Sequence, residues 1–129
     1  TRILSSAASD VYKRQQSNLI LAGDSHNSWL SNLFDKNNKF VGVEIGAPSI
    51  TSPNFVDTFG DFTEALDKSF IDSNKDLIWT NGRNKGYVEL NIFSEYVDVK
   101  FNFVSSVKSK NYKNLKPIIF KVKHSEAIT

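Results

Sequence analysis

The stretch Asn18-Leu19-Ile20-Leu21-Ala22-Gly23-Asp24-Ser25-His26-Asn27-Ser28-Trp29 constrains this chain more than any other. Its apolar run, residues 19–22, has the length and composition of a strand buried on both faces. Gly23 permits a tight exit. Asp24 and His26 then emerge just past the strand's carboxyl end, where open α/β sheets place their chemistry. A carboxylate and an imidazole two residues apart can converge on one cation, because hard oxygen and borderline nitrogen donors together suit a catalytic divalent or trivalent metal. The plainer reading of the same residues makes Asp24 or Ser25 the cap of a helix starting near Asn27, and His26 an ordinary surface histidine.

Downstream, Trp29, Leu30, Leu33 and Phe34 fall at the spacing of a helical face, which predicts a short helix over Ser28–Phe34 packed on the sheet. After the polar turn at 35–39, residues 40–45 read as a strand with Val41, Val43 and Ile45 on one face and Gly42, Glu44 and Gly46 on the other. A carboxylate flanked by glycines on its own face marks close approach of another group, so Glu44 is a candidate metal ligand or an acceptor that supports one; the alternative is a solvent-facing edge position. The hydroxyl-rich loop at 48–54 offers Ser49, Thr51 and Ser52 to a phosphate or to its own backbone. Phe59, Phe62, Leu66 and Phe70 predict a helix over 62–72, with Asp61 and Glu64 at capping-box spacing and the aromatic stripe serving as packing.

Residues 77–79 form a brief apolar strand that ends in Thr80-Asn81-Gly82-Arg83-Asn84-Lys85-Gly86, a loop in which both glycines are placed for positive φ. Asn81 offers an amide oxygen either to a hard cation or to the loop backbone. Arg83 and Lys85 either steer a phosphate or are solvated loop charges. Beyond Gly86 the pattern alternates. Val88, Leu90 and Ile92, then Val97, Val99, Phe101 and Phe103, predict an antiparallel hairpin with one buried face, and Ile118, Phe120 and Val122 predict a last strand. His124 lies past that strand and is a poor ligand candidate.

Composition sets the outer bounds. At 129 residues, with 40% hydrophobic and 23% charged residues, the chain makes one domain at most. No run approaches the roughly 18 apolar residues of a spanning helix, and no charged-then-apolar leader opens the chain. A net charge of +2, with lysines scattered among carboxylates, gives no nucleic-acid footprint. There is no cysteine, so any metal is held by oxygen and nitrogen. With no methionine, even at position 1, the chain is expected to be a piece of a longer protein. Residues 1–15 have no sustained period and resemble translated sequencing adapter, so residues 1–16 are set aside as a non-native or disordered leader; the alternative is a short surface helix, Ser9 to Gln16, leading into the first strand.

Gly23-Asp24-Ser25-His26-Asn27-Ser28-Trp29, followed by Val41-Gly42-Val43-Glu44-Ile45-Gly46-Ala47-Pro48-Ser49-Ile50-Thr51-Ser52, resembles the carboxyl-terminal part of the PhoD-like alkaline phosphatases, a branch of the metallophosphoesterases. The family pattern there is G-D-x-H-x-x-W, then G-x-E-F-x-x-x-S-I-T-S. Further on it has an Asn and an R-G-Y, matched here by Asn81 and by Gly86-Tyr87-Val88. Ile45 replaces the usual aromatic and Lys85 the usual Arg; neither is a metal ligand in the pattern.

The resemblance implies an α/β chain (α+β within this piece) that forms the carboxyl-terminal part of a four-layer αββα sandwich. Residues 17–124 would belong to a single metallophosphoesterase domain, with 125–129 a frayed tail. It also implies a phosphomonoesterase or phosphodiesterase acting on a phosphate ester, a site holding Ca2+ and Fe3+, periplasmic or secreted location, and further ligands from an amino-terminal part of the same domain that is absent here. Asp24 and His26 become the catalytic candidates. Asp24, His26, Glu44 and Asn81 become the metal candidates, and Asn27, Ser49, Arg83 and Lys85 the substrate-binding ones. Such a piece is expected to be inactive alone. The competing expectation is a non-catalytic β-rich binding or structural domain, in which these side chains scatter over the surface.

Overall fold

The computed structural model describes residues 18–129. Among the described residues there are seven strands and two helices: β1 (Asn18–Ala22), β2 (Ser28–Phe34), β3 (Phe40–Gly46), α1 (Phe55–Phe59), α2 (Thr63–Ser73), β4 (Leu77–Asn81), β5 (Lys85–Ile92), β6 (Tyr96–Val104) and β7 (Ile118–Lys123), with a 3-10 turn at Gly60–Phe62 between the helices. The strands form two sheets, one in the order β1-β3-β2-β4 and one in the order β5-β6-β7. β1 runs parallel to β3, and every other pairing is antiparallel.

The core lies between the sheets. Leu30, Val43 and Ile45 from the first meet Val99, Phe101, Phe103 and Val122 from the second, all essentially inaccessible to water. Trp79 crosses the seam, its ring 4.7 Å from that of Phe101 and 5.4 Å from that of Phe120. Alternation with one buried face, which predicts the hairpin and the last strand, is what this packing requires of β5, β6 and β7. On the other face of the first sheet, Phe70 of α2 meets Trp29 edge-on at 5.5 Å and stacks on Phe55 of α1 at 5.7 Å. The result is a helix layer on two sheet layers, an α+β arrangement. Phe70 therefore packs as its stripe predicts, whereas Phe59 and Phe62 stay 46% and 79% exposed.

Several expectations are corrected. Ser28–Phe34 is a strand, not a helix, so no helix follows Asn27 for Asp24 or Ser25 to cap. The apolar spacing misleads because two polar residues are buried in this strand. Ser28 is fully inaccessible, and Asn32 faces the core, where its amide donates to the Ile128 carbonyl and accepts from the Ile128 N–H, each at 2.9 Å. The tail at 125–129 is thus pinned by a side chain that imitates a strand partner. β1 is an edge strand among the described residues rather than one buried on both faces, with Leu21 60% exposed. The Asp61 and Glu64 capping box does not form, since α2 has Phe62 at its N-cap and no side-chain cap. That geometry occurs one element earlier, where Asp57 Oδ2 accepts the Asn54 N–H at 3.0 Å.

Gly82 and Gly86 do not adopt positive φ. They are glycine because of close approach: a Cβ on Gly86 would sit 1.8 Å from the Asn102 carbonyl oxygen, and one on Gly82 would sit 2.8 Å from the Phe55 ring.

Candidate active site

Strand direction collects the three motif segments. β4 is antiparallel to β2, which is antiparallel to β3, so β1, β3 and β4 all end at one rim of the first sheet and β2 begins there. Ala22 pairs with Gly46, Trp29 with Gly46, and Ser28 with Asn81. Asp24 and His26 follow β1 at this rim, Asn81 closes β4, and Ser49 lies in the loop after β3. Glu44 sits two residues inside the rim, about 7 Å down the strand.

The loops at the rim are joined by backbone hydrogen bonds. The Ala47 N–H donates to the Ala22 carbonyl at 3.0 Å and the Ser49 N–H to the His26 carbonyl at 3.2 Å. The Gly86 N–H donates to the Ser49 carbonyl and the Val56 N–H to the Gly82 carbonyl, each at 3.0 Å. Within the first loop, Asp24 and His26 both take left-handed backbone, at φ 64° and 61°. Asp and His are among the few residues with a side chain that enter this region readily, and residues held there concentrate at functional sites.

The candidate side chains separate by what they touch. His26 Nδ1 lies 2.8 Å from the Pro53 carbonyl oxygen. A carbonyl can only accept, so Nδ1 carries the proton and the Nε2 lone pair is left for another partner, the arrangement seen in metal-binding histidines. The Asp24 side chain is exposed and that of Glu44 partly so, and neither carboxylate has a hydrogen-bond or ion-pair partner among the described residues. Glu44 opens into a recess of about 390 Å³ that also reaches Gly23, Ser25 and Asp76. Gly46 borders the same recess, and there a Cβ would stand 2.7 Å from the Trp29 ring, which is the close approach that the glycine predicts.

Four other candidates are occupied with structure. Asn81 Oδ1 accepts the N–H groups of Arg83 and Asn84 at 3.0 and 2.8 Å, which uses both of its lone pairs on the turn. Asn27 is buried; its Oδ1 accepts the Phe55 N–H at 3.0 Å and its Nδ2 donates to the Ser25 carbonyl at 2.6 Å. Ser49 Oγ donates to the Ser52 carbonyl at 2.6 Å, the backbone role. Lys85 is not a solvated charge. Its side chain is 10% exposed, and its Nζ donates to the Ser52 carbonyl at 3.0 Å, to Asn54 Oδ1 at 3.2 Å and to the Asp57 carboxylate. The Lys85 hydrogen bond, helped by the Asn54 N–H, holds the Asp57 carboxyl below the usual aspartate range. Arg83 faces the acids of the helical layer, 3.9 Å from Asp61 and 3.8 Å from Glu64.

Asn54, Asp57 and Asp67 escape a reading of the sequence. Asn54 and Asp57 carry a legible signal, the three-residue spacing of a capping box after a proline. Asp67 has none, because it accepts the Gly82 N–H at 2.9 Å across 15 residues. Burial pushes its carboxyl above the usual range. Among the described residues, no three His, Cys, Asp or Glu side chains gather closely enough to hold a metal ion. No helix among them is long and apolar enough to cross a membrane.

A solved structure titled "Structure of PhoD" superposes with a TM-score of 0.66 at 20% identity, covering 86% of this chain and 21% of that one; this likeness shows the fold. The chain thus spans about a fifth of the length of that protein. No curated protein matches. The family model described as PhoD-like phosphatase matches residues 2–101, which runs from the segment set aside as a leader through most of β6. With more than half of its residues matched in this way, the chain belongs to the PhoD-like phosphatase family.

Proposed function

We propose that the full-length protein is an exported, metal-dependent hydrolase of phosphate mono- or diesters, and that this chain supplies part of its site. The observation that carries the reading is the convergence of three motif segments at the carboxyl ends of β1, β3 and β4. Asp24 and His26 are assigned to metal contact or to polarising the phosphate, and Glu44 supports them from within the recess. The donor set fits a mixed Ca2+ and Fe3+ site in kind, with two carboxylates that have no partner among the described residues and one imidazole whose Nε2 is available. It falls short in number, so the other ligands come from elsewhere in the polypeptide.

When bound, such ions lower the pKa of a water and offset charge on the phosphoryl oxygens. The part of this chain is to hold His26 with its proton on Nδ1 and to present the exposed Asp24 carboxylate from the same loop. Arg83, the least occupied of the rim cations, is assigned to the substrate's anionic side. Asn81, Asn27, Ser49 and Lys85 maintain the loops that carry these groups.

The test uses the reading frame extended upstream and hydrolysis of an aryl phosphate. Asp24→Asn and His26→Ala are each expected to lower kcat/KM by more than about 100-fold while the fold persists. Full activity in both variants would overturn the assignment. The 129-residue chain supplied with calcium and iron is expected to show no turnover.

A further inference from the structure

We infer that Lys85 is a positioning residue that sets the tautomer of His26 through the loop between them, rather than a group that meets substrate. The inference rests on His26 being a site residue, but its test does not depend on catalysis. Lys85 begins β5, and its ammonium is drawn into the junction of the loop at 49–54 with α1, where it donates to the Ser52 carbonyl, Asn54 Oδ1 and the Asp57 carboxylate. These acceptors exhaust the three protons of an ammonium. The next residue after Ser52 is Pro53, whose carbonyl accepts the His26 Nδ1 proton at 2.8 Å. Lys85 therefore fixes the peptide adjoining the acceptor that decides which imidazole nitrogen carries hydrogen.

The same loop is held again one residue on, where the Gly86 N–H donates to the Ser49 carbonyl, while the Ser49 N–H donates to the His26 carbonyl. The first two residues of β5 thus grip both ends of the segment against which the His26 ring rests. Proline at 53 suits this arrangement: it has no N–H of its own to satisfy, and its ring restricts the backbone that presents the carbonyl.

Burial makes Lys85 sensitive to replacement. With its side chain 10% exposed and Asp57 as its countercharge, removing the ammonium releases the Ser52 carbonyl, the Asn54 amide and a carboxylate together.

Nitrogen NMR of the imidazole rings tests this in the intact chain at pH 9. Only His26 and His124 contribute, and His124 serves as the internal control. In the unsubstituted protein, His26 is expected to show a protonated Nδ1 and an unprotonated Nε2; the opposite pattern would overturn the inference without any substitution. In Lys85→Met, the His26 pattern is expected to move toward the Nε2–H form that free histidine prefers, with His124 unchanged. If that variant does not fold, Lys85→Met combined with Asp57→Asn removes the stranded charge while keeping an acceptor for the Asn54 N–H, and the same shift is expected. An unchanged Nδ1–H signature in either folded variant refutes the positioning role. A shifted tautomer together with full phosphatase activity in His26→Ala would instead leave the positioning intact and refute the functional reading.

Discussion

Asn32 offers a sharp test of how the sheets and the tail depend on each other. It is 5% exposed on the core face of β2, and both of its amide groups are spent on the main chain of Ile128, at 2.9 Å each. Replacing it by leucine keeps the branched shape, with a larger volume, but removes both bonds and leaves a peptide N–H and a carbonyl facing apolar atoms. At roughly 0.5–1.5 kcal/mol per bond, the net cost is about 1–3 kcal/mol, less whatever the added apolar surface returns. Cutting the chain after His124 removes the same two bonds along with the partly buried Ile128 side chain that packs on the core, for a cost of about 2–4 kcal/mol. If the two changes remove one shared interaction, the double variant should be no less stable than the truncation alone. The coupling energy would then be about 1–3 kcal/mol. Urea unfolding followed by tryptophan fluorescence reads all four corners of this cycle, and amide exchange at Ile128 reports the clasp directly. Additive costs would refute the reasoning, because they would mean that the tail and Asn32 stabilise the fold through separate contacts.

Three further outcomes follow from the same geometry. Gly86→Ala should destabilise the protein by about 3 kcal/mol or more and disrupt exchange protection along β5 and β6, because its Cβ would lie 1.8 Å from the Asn102 carbonyl oxygen; wild-type stability in urea would contradict this. Asp67 binds its proton more tightly in the folded state, so its contribution is whole below about pH 3.9 and is lost as pH rises through the folded pKa; Asp67→Asn should flatten that decline in urea midpoints measured across pH. Asp57 has the opposite sign. Its carboxyl is held low by Lys85, so its contribution is present above about pH 3.9 and disappears as pH falls through the folded value, and Asp57→Asn should remove this acid-side loss.

Where the sequence was legible, one repeating rule decided the structure. Val88 and Leu90, the odd-numbered residues from Val97 to Phe103, and Ile118, Phe120 and Val122 alternate because one face of their sheet is buried, and two-residue alternation follows from that alone. β2 was illegible for the complementary reason. Its core face includes Asn32, and the partner that makes Asn32 acceptable there lies 96 residues away. β1 differs from its sequence in burial rather than type: an apolar run identifies a strand but does not say whether a neighbour covers it, and Leu21 stands 60% exposed. The rim was legible as motif order and as a position past the ends of strands. The commitments of Asn81 and Lys85 were not, because a side chain that can serve a ligand can equally serve a loop, and which acceptors surround it is settled only in space.

That ambiguity bears on how the rim works. Asp24 and His26 occupy left-handed backbone, a conformation that costs non-glycine residues of order 1–3 kcal/mol each and persists only where surrounding structure enforces it. The loop is held by hydrogen bonds from Asn27 to Phe55 and Ser25, from the Ser49 N–H to the His26 carbonyl, and from the His26 ring to Pro53, with Lys85 behind Ser52. Each takes a polar group out of contention for a ligand and spends it on geometry. Among the described residues, what remains of the metal candidates is two carboxylates, Asp24 and Glu44, and one imidazole nitrogen, His26 Nε2. Left-handed residues also occur at Asn38 and Ser125, away from the rim, so the conformation by itself does not mark a site. On the proposed reading, what sets the rim apart is that its restraints fix where the His26 ring and the backbone beside Asp24 sit.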